Sequence, residues 1–273
     1  MQKPSPLSKA ADEVLKFTCQ FLKYKEAKKN IPIANGCGLL LEYNSNYYCI
    51  SNAHVIGDAE LEKTFILLRN NKTVYLGGQY YQTRLPDSGR RSDDKLDVAV
   101  LKLNPIVVSA IIDRGYNFMS VSKIKTGYSF RKEDKLLIAG FPASKTKLDF
   151  KNQLLTPMPI IVRTIPYHKD LSIENFSNDF HFVVSYPIKS LVNSETKQYQ
   201  RAPDPHGLSG SGLWLLSQNP NGDQSAHLIG IVSEYHENRA VIISTKIDLF
   251  IDLLRQRFDP SIPNFGVQLD LRD

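Results

Sequence analysis

The sequence predicts an all-β protein with one helix near each end. Short apolar runs with a near-alternating pattern, at 47–53, 96–103 and 182–186, each stop at Gly, Pro, Asn or Asp within a few residues, as half-buried strands do. Helical spacing is confined to two places: Ala11, Val14, Leu15, Thr18, Phe21 and Leu22 near the start, and Ile247, Phe250, Ile251, Leu254 and Phe258 near the end. The 273 residues are 42% apolar and 23% charged, enough for a sizeable core. No apolar run approaches the ~20 residues that a membrane helix needs.

Taken in order, a helix is expected over 8–29, capped by Ser5 or Ser8 and stopped at Asn30-Ile31-Pro32. Its end carries the basic run Lys23-Tyr24-Lys25-Glu26-Ala27-Lys28-Lys29, where cations complement the helix dipole and face water. Despite a net charge of +6, nucleic-acid binding is therefore not expected. Residues 36–43, the turn Asn44-Ser45-Asn46 and residues 47–53 form a hairpin that ends at His54. Strands follow at 64–69, 72–76 and 97–103, with a polar, breaker-rich loop at 84–95. Residues 104–116 link to a second half that starts near Ser129 and holds strands at 135–140, 182–186, 228–233 and 244–247. Residues 143–180 hold two proline-interrupted strand candidates whose order stays open, and 190–206 form a long loop.

Three stretches carry chemistry. His54 ends a β-rich run that breaks at Gly57-Asp58, and Asp97 opens a core strand. Ser209 sits in His206-Gly207-Leu208-Ser209-Gly210-Ser211-Gly212, directly before the apolar run Leu213-Trp214-Leu215-Leu216. Glycines around a serine allow sharp backbone conformations in which the hydroxyl projects and neighbouring N–H groups converge on one point. A serine hydroxyl needs a base poised near pH 7, which histidine supplies, and a carboxylate can fix the histidine tautomer.

These residues, in the order His, Asp, Ser, resemble the catalytic blocks of the chymotrypsin-like (trypsin-like) serine peptidases of the PA clan. Ser51-Asn52-Ala53-His54 is similar to the family's Thr-Ala-Ala-His. Leu96-Asp97-Val98-Ala99-Val100-Leu101-Lys102 is similar to Asp-Ile-Ala-Leu-Leu-Lys. Gly207-Leu208-Ser209-Gly210-Ser211-Gly212 is similar to Gly-Asp-Ser-Gly-Gly-Pro. Residues 228–233 resemble the strand that lines the substrate cleft. The Gly-x-Ser-Gly-Ser version is nearest to glutamyl endopeptidases and to intracellular and heat-shock members. The resemblance implies two six-stranded antiparallel β-barrels: a helical extension at 1–30, the first barrel at 31–115, the second at 116–246, and a helix and tail at 247–273.

It also implies a catalytic triad of His54, Asp97 and Ser209, with the N–H groups of Gly207 and Ser209 as an oxyanion hole. Ser211, the competing nucleophile, falls in the family's small-residue slot. Ser233 would bond substrate backbone, with Glu234, Tyr235, His236 and Glu237 at the pocket rim; Glu234 or Glu237 would favour a basic substrate side chain and His236 an acidic one. Pro203, near the pocket floor, supplies no charge. Leu208 stands where zymogen-activated relatives carry an aspartate, so activation by insertion of a new N-terminus is not expected. No zinc helix, phosphate loop or cofactor fingerprint is present, so no metal or cofactor is expected.

The opening Met-Gln-Lys-Pro-Ser-Pro lacks a signal-peptide pattern, and three cysteines, Cys19, Cys37 and Cys49, are too few for a disulfide framework. The expectation is a cytoplasmic serine endopeptidase performing limited proteolysis of intracellular proteins. Its partners would be a protein or peptide substrate and a regulatory protein, with no membrane. The alternative is a catalytically silent pseudoprotease or a regulatory or RNA-binding module on the same barrels.

Overall fold

In the computed structural model the described residues are 6–25, 28–67, 73–149, 154–169, 176–188, 191–192, 199–218, 224–264, 266 and 269. The chain opens with helix α1 (Pro6–Lys16). Strands β1 (Thr18–Lys25), β2 (Lys28–Tyr43), β3 (Asn46–Ser51), β4 (Phe65–Leu67), β5 (Thr73–Tyr75), β6 (Gly78–Gln82) and β7 (Ala99–Leu103) form an antiparallel sheet in the order β5-β4-β1-β2-β3-β7-β6. Strand β8 (Met119–Ser120) joins it in parallel beside β2. Between β3 and β4 lies one helical turn, α2 (Ala53–Ile56), and helix α3 (Pro105–Arg114) follows β7.

The second sheet comprises β9 (Leu136–Gly140), then β12 (Ile160–Thr164), β13 (His181–Ser185), β16 (Gly212–Gln218), β17 (Gln224–His236) and β18 (Val241–Lys246), in the order β12-β9-β16-β17-β18-β13. Two short hairpins, β10 (Lys147–Asp149) with β11 (Leu154–Thr156) and β14 (Leu191–Val192) with β15 (Tyr199–Gln200), hang from it. Helix α4 (Ile247–Arg257) is the last regular element among the described residues. The two sheets are curled antiparallel half-barrels, the all-β architecture that the sequence motifs imply.

Each half-barrel has its own apolar interior. Phe21, Leu40, Cys49, Val55 and Leu101 fill the first, and Ile138, Leu208, Leu213 and Ile229 the second. A third cluster lies in the seam: Leu39, Leu41, Ile50 and Val100 from one sheet meet Leu137, Trp214 and Leu228 from the other, closed by α1 and α4.

The first helix is shorter than the spacing suggests. It stops at Lys16, and Thr18–Lys25 is a strand paired with β2, so the first sheet begins inside the expected helical extension. Thr18, Cys19, Gln20, Phe21 and Leu22 are all buried, covered on both faces of the sheet. A doubly buried strand shows no alternation, and its apolar positions fit helical spacing by coincidence. Ser5, Glu26 and Ala27 lie outside the described residues. Helix α3 supplies the link at 104–116: the Asn104 side chain accepts from the Val107 N–H at 3.0 Å, Pro105 opens the helix, and Gly115 closes it at φ 95°.

Candidate active site

His54 sits in α2, just past the end of β3, and Asp97 just before the start of β7. The β3–β7 ladder, Ser51 opposite Ala99, brings the two together. Asp97 Oδ2 is 2.6 Å from His54 Nδ1, and Asp97 Oδ1 accepts the His54 backbone N–H at 2.9 Å. The carboxylate thus grips both the ring and the main chain of one residue. Asp97 itself takes the left-handed conformation, φ 52°, and its carbonyl accepts from Ala53 N–H and from Asn52 Nδ2. Burial alone would pull the His54 pKa down. The Asp97 hydrogen bond and charge, with Glu234 adding to them, outweigh it and hold the imidazole above its ordinary 6.5.

The loop before Asp97 is anchored by an ion pair, Arg91 to Asp94 at 2.8 Å, with side chains only 11% and 7% exposed. Arg91 also donates to the Thr83 carbonyl, while Asp94 accepts from the Thr83 hydroxyl and the Leu96 N–H. Removing one partner of such a buried pair costs about 3–5 kcal/mol, so the pair holds the segment leading to Asp97 firmly.

Ser209 comes from the second half and meets them at the seam. Its loop is tied almost entirely through the main chain: Gly210 N–H to Val232 O, Ser211 N–H to Leu208 O, Leu208 N–H to Pro205 O, and Cys37 N–H across the seam to Ser209 O at 2.7 Å. The His206 carbonyl accepts from Ala143 N–H at 2.7 Å. In a trans peptide the following N–H points the opposite way, so this bond aims the Gly207 N–H out of the loop. Gly207 has φ 89°, and a Cβ there would lie 2.7 Å from Ala143 N. Among the described residues the N–H groups of Gly207 and Ser209 donate to no protein acceptor. Two such free donors are what an oxyanion needs.

Ser211 is fully buried against Gly140, so of the two serines only Ser209 opens to the seam. Leu208 is fully buried in the second interior, anchoring the loop by apolar packing where relatives in the resemblance use an ion pair.

The cleft strand β17 has a bulge at Ser233: Val232 pairs with Ser244 and Glu234 with Ile243, leaving Ser233 out of the ladder. Its carbonyl is thereby free, and the Ser209 hydroxyl donates to it at 3.1 Å. The partner of the His54 ring is Asp97. The Ser233 hydroxyl joins an inward chain, accepting from Asn52 Nδ2 at 3.1 Å and meeting the Thr245 hydroxyl at 2.8 Å, which donates to the Leu96 carbonyl. Glu234 and His236 pair with each other at 3.0 Å, and Tyr235 lies edge-on to Tyr186, whose hydroxyl donates to the Pro203 carbonyl. Asn52, Thr83, Arg91, Asp94 and Thr245 are supporting residues to which the sequence motifs assign no role; Asn52, inside the His54 motif, and Thr245, in the strand expected at 244–247, carried a sequence signal.

No protein-family model matches the sequence, and no curated protein matches it. Among solved structures, one described as GrC is 13% identical, covering 93% of this chain and 96% of its own, with a TM-score of 0.52. The chain adopts the fold of the chymotrypsin-like serine peptidases. A second structure, the scabies mite inactivated protease paralogue S-D1, is 11% identical over 93% of this chain and 96% of its own, with a TM-score of 0.55. One of these two is thus described as inactivated, so the shared shape is silent on catalysis, and any reading of activity rests on the residues. Among the described residues no helix is long and apolar enough to cross a membrane, and none form a cluster of three or more metal-ligating side chains.

Proposed function

We propose that the protein is a serine endopeptidase acting through Ser209, His54 and Asp97. The observation that carries this reading is the short Asp97 to His54 Nδ1 contact beside a serine loop with two unengaged N–H donors. Ser209 Oγ adds to a peptide carbonyl while its proton passes to His54 Nε2. The resulting oxyanion takes the Gly207 and Ser209 N–H groups. His54 then returns the proton to the leaving amine as the C–N bond breaks, leaving an acyl-enzyme. Water, deprotonated by His54, repeats the sequence and frees the acid. Asp97 stabilises the imidazolium in both halves and keeps its own proton-free state.

On this reading the Ser209 hydroxyl must leave the Ser233 carbonyl to engage His54, and such catalytic contacts commonly tighten only when substrate binds. Three free, buried cysteines support a reducing, cytoplasmic setting, and the buried Leu208 supports an enzyme that needs no zymogen cleavage. Glu234 and His236 engage each other, so neither side chain is presented freely, which supports neither a strongly basic nor a strongly acidic preference. A second reading, a catalytically silent barrel protein, is favoured by one observation, the Ser209 bond to Ser233 rather than to His54.

Labelling with an activated fluorophosphonate, read by mass spectrometry, separates the two. Active protein labels at Ser209, and Ser209→Ala abolishes both the label and peptide cleavage, a loss of roughly 10⁶ in turnover. Folded protein that takes no label sinks the endopeptidase reading.

A further inference from the structure

Away from Ser209, a cavity of about 460 Å³ opens beside β13 and the end of β18. Its size lies in the range of small-molecule sites. Phe130 and Phe182, stacked with centroids 4.4 Å apart, form one wall, and Tyr167, Phe176 and His181 contribute further rings. Lys169 and Lys246 bring positive charge, and among the described residues no carboxylate lines it.

Lys246 is the informative residue. Its ammonium is half-buried, donates to the Asn178 carbonyl at 2.7 Å and lies 5.3 Å from the Phe182 ring centroid. An ammonium carries three donors, so the Asn178 bond leaves it capacity for a ligand. Burial pulls its pKa down; Asp248 and Asp179 push it up through their charge without lining the cavity. A partly desolvated cation above an aromatic face, with no acid among the described lining residues, is a receptor for negative charge attached to something flat.

We propose that this cavity binds a small aromatic anion, a ring bearing a phosphate or carboxylate. The charge is held by Lys246 and Lys169, and the ring by Phe130, Phe182 and Tyr167. The site also touches the segment that carries Asp97: His181 lines both this cavity and the recess beside Asp97, Ser233 and Glu234, and its Nε2 bonds the Lys95 carbonyl at 2.7 Å. Burial keeps the His181 imidazole below its ordinary pKa, and Nδ1 accepts the Ser177 N–H, so Nε2 is the donor to Lys95.

Isothermal titration of the full chain with phenyl phosphate, adenosine 5′-monophosphate and benzoate tests the proposal, with inorganic phosphate and benzyl alcohol supplying the charge or the ring alone. The expected result is a Kd of about 1 mM or tighter for at least one aromatic anion. Inorganic phosphate, benzyl alcohol, and the same anion on Lys246→Gln or Lys169→Gln should all bind at least tenfold more weakly. Preference for the nucleotide, the simple arene phosphate or the carboxylate assigns the ligand class within the proposal. No binding of any aromatic anion, equal binding of inorganic phosphate, or affinity unchanged in both variants overturns it. Should Lys246→Gln fail to fold, exposed Lys169 together with the His181 ring signals during titration still decides. The readout is heat, so the proposal stands or falls independently of the peptidase reading.

Discussion

The two sides of the candidate site are built by different means. On the first-barrel side, side chains hold side chains: Asp97 grips His54, Arg91 grips Asp94, and Thr83 grips Asp94. On the second-barrel side, main chain holds main chain: Gly210, Ser211, Ala143 and Cys37 donate N–H groups to carbonyls within or around the Ser209 loop. On the proposed peptidase reading, the difference follows from what each side is to supply. A base must be oriented by a specific carboxylate, whereas an oxyanion is bound by amide N–H groups that every residue carries and that only backbone shape can aim.

Four perturbations sharpen or break that contrast, all on the peptidase reading. Asp97→Asn should lower kcat roughly 10⁴-fold at neutral pH, because the amide favours the wrong imidazole tautomer; a drop below tenfold would remove Asp97 from its role. Gly207→Ala, forced to place a Cβ 2.7 Å from Ala143 N at φ 89°, should cost about 10²–10³ in kcat with KM little changed. Unchanged turnover would mean that its N–H is not aimed at the reacting atom.

Cys37 is a milder case, a first-barrel side chain that reaches the second-barrel loop. Burial pushes its thiol up to about 12, so it stays protonated and donates to the Gly207 carbonyl at 3.2 Å, while accepting the Phe141 N–H at 3.3 Å. Cys37→Ala should reduce kcat by about tenfold, in line with one lost neutral hydrogen bond, and Cys37→Ser should restore most of it. An equal loss in both variants, or one seen only in KM, would make Cys37 a packing residue. The smallest effect is in the pH profile. The base must be neutral, so kcat/KM should rise with pH through a midpoint above 6.5. Glu234→Gln should move that midpoint downward, because Glu234 helps hold the imidazolium. A midpoint that stays put would place Glu234 outside the field of His54.

Legibility followed the same division. The hairpin that delivers His54 was readable because Asn44 and Ser45 both take positive φ, 48° and 59°, in a turn that their neighbours announce. His54, Asp97 and Ser209 were readable as residue types at ordered positions. The strand at Thr18–Lys25 was not: sheet pairing with residues distant in the chain, Thr18 to Leu39 and Leu22 to Ala34, overrode a spacing that looked helical. The helix Pro105–Arg114 was readable in principle, since Asn104, Pro105 and Gly115 are its punctuation, but its continuous apolar face hid it.

By itself, then, the sequence determined the β character, the strand-forming runs and the identity of the groups proposed as nucleophile, base and carboxylate, because these depend on local spacing and side-chain chemistry. Only the tertiary structure decided which amide N–H groups stay unengaged, that the bulge at Ser233 offers a carbonyl to Ser209, that Ser211 is sealed against Gly140, and that Lys246 and Phe182 share a cavity. Those outcomes arise where strands distant in the chain meet at a seam, and no local pattern records them.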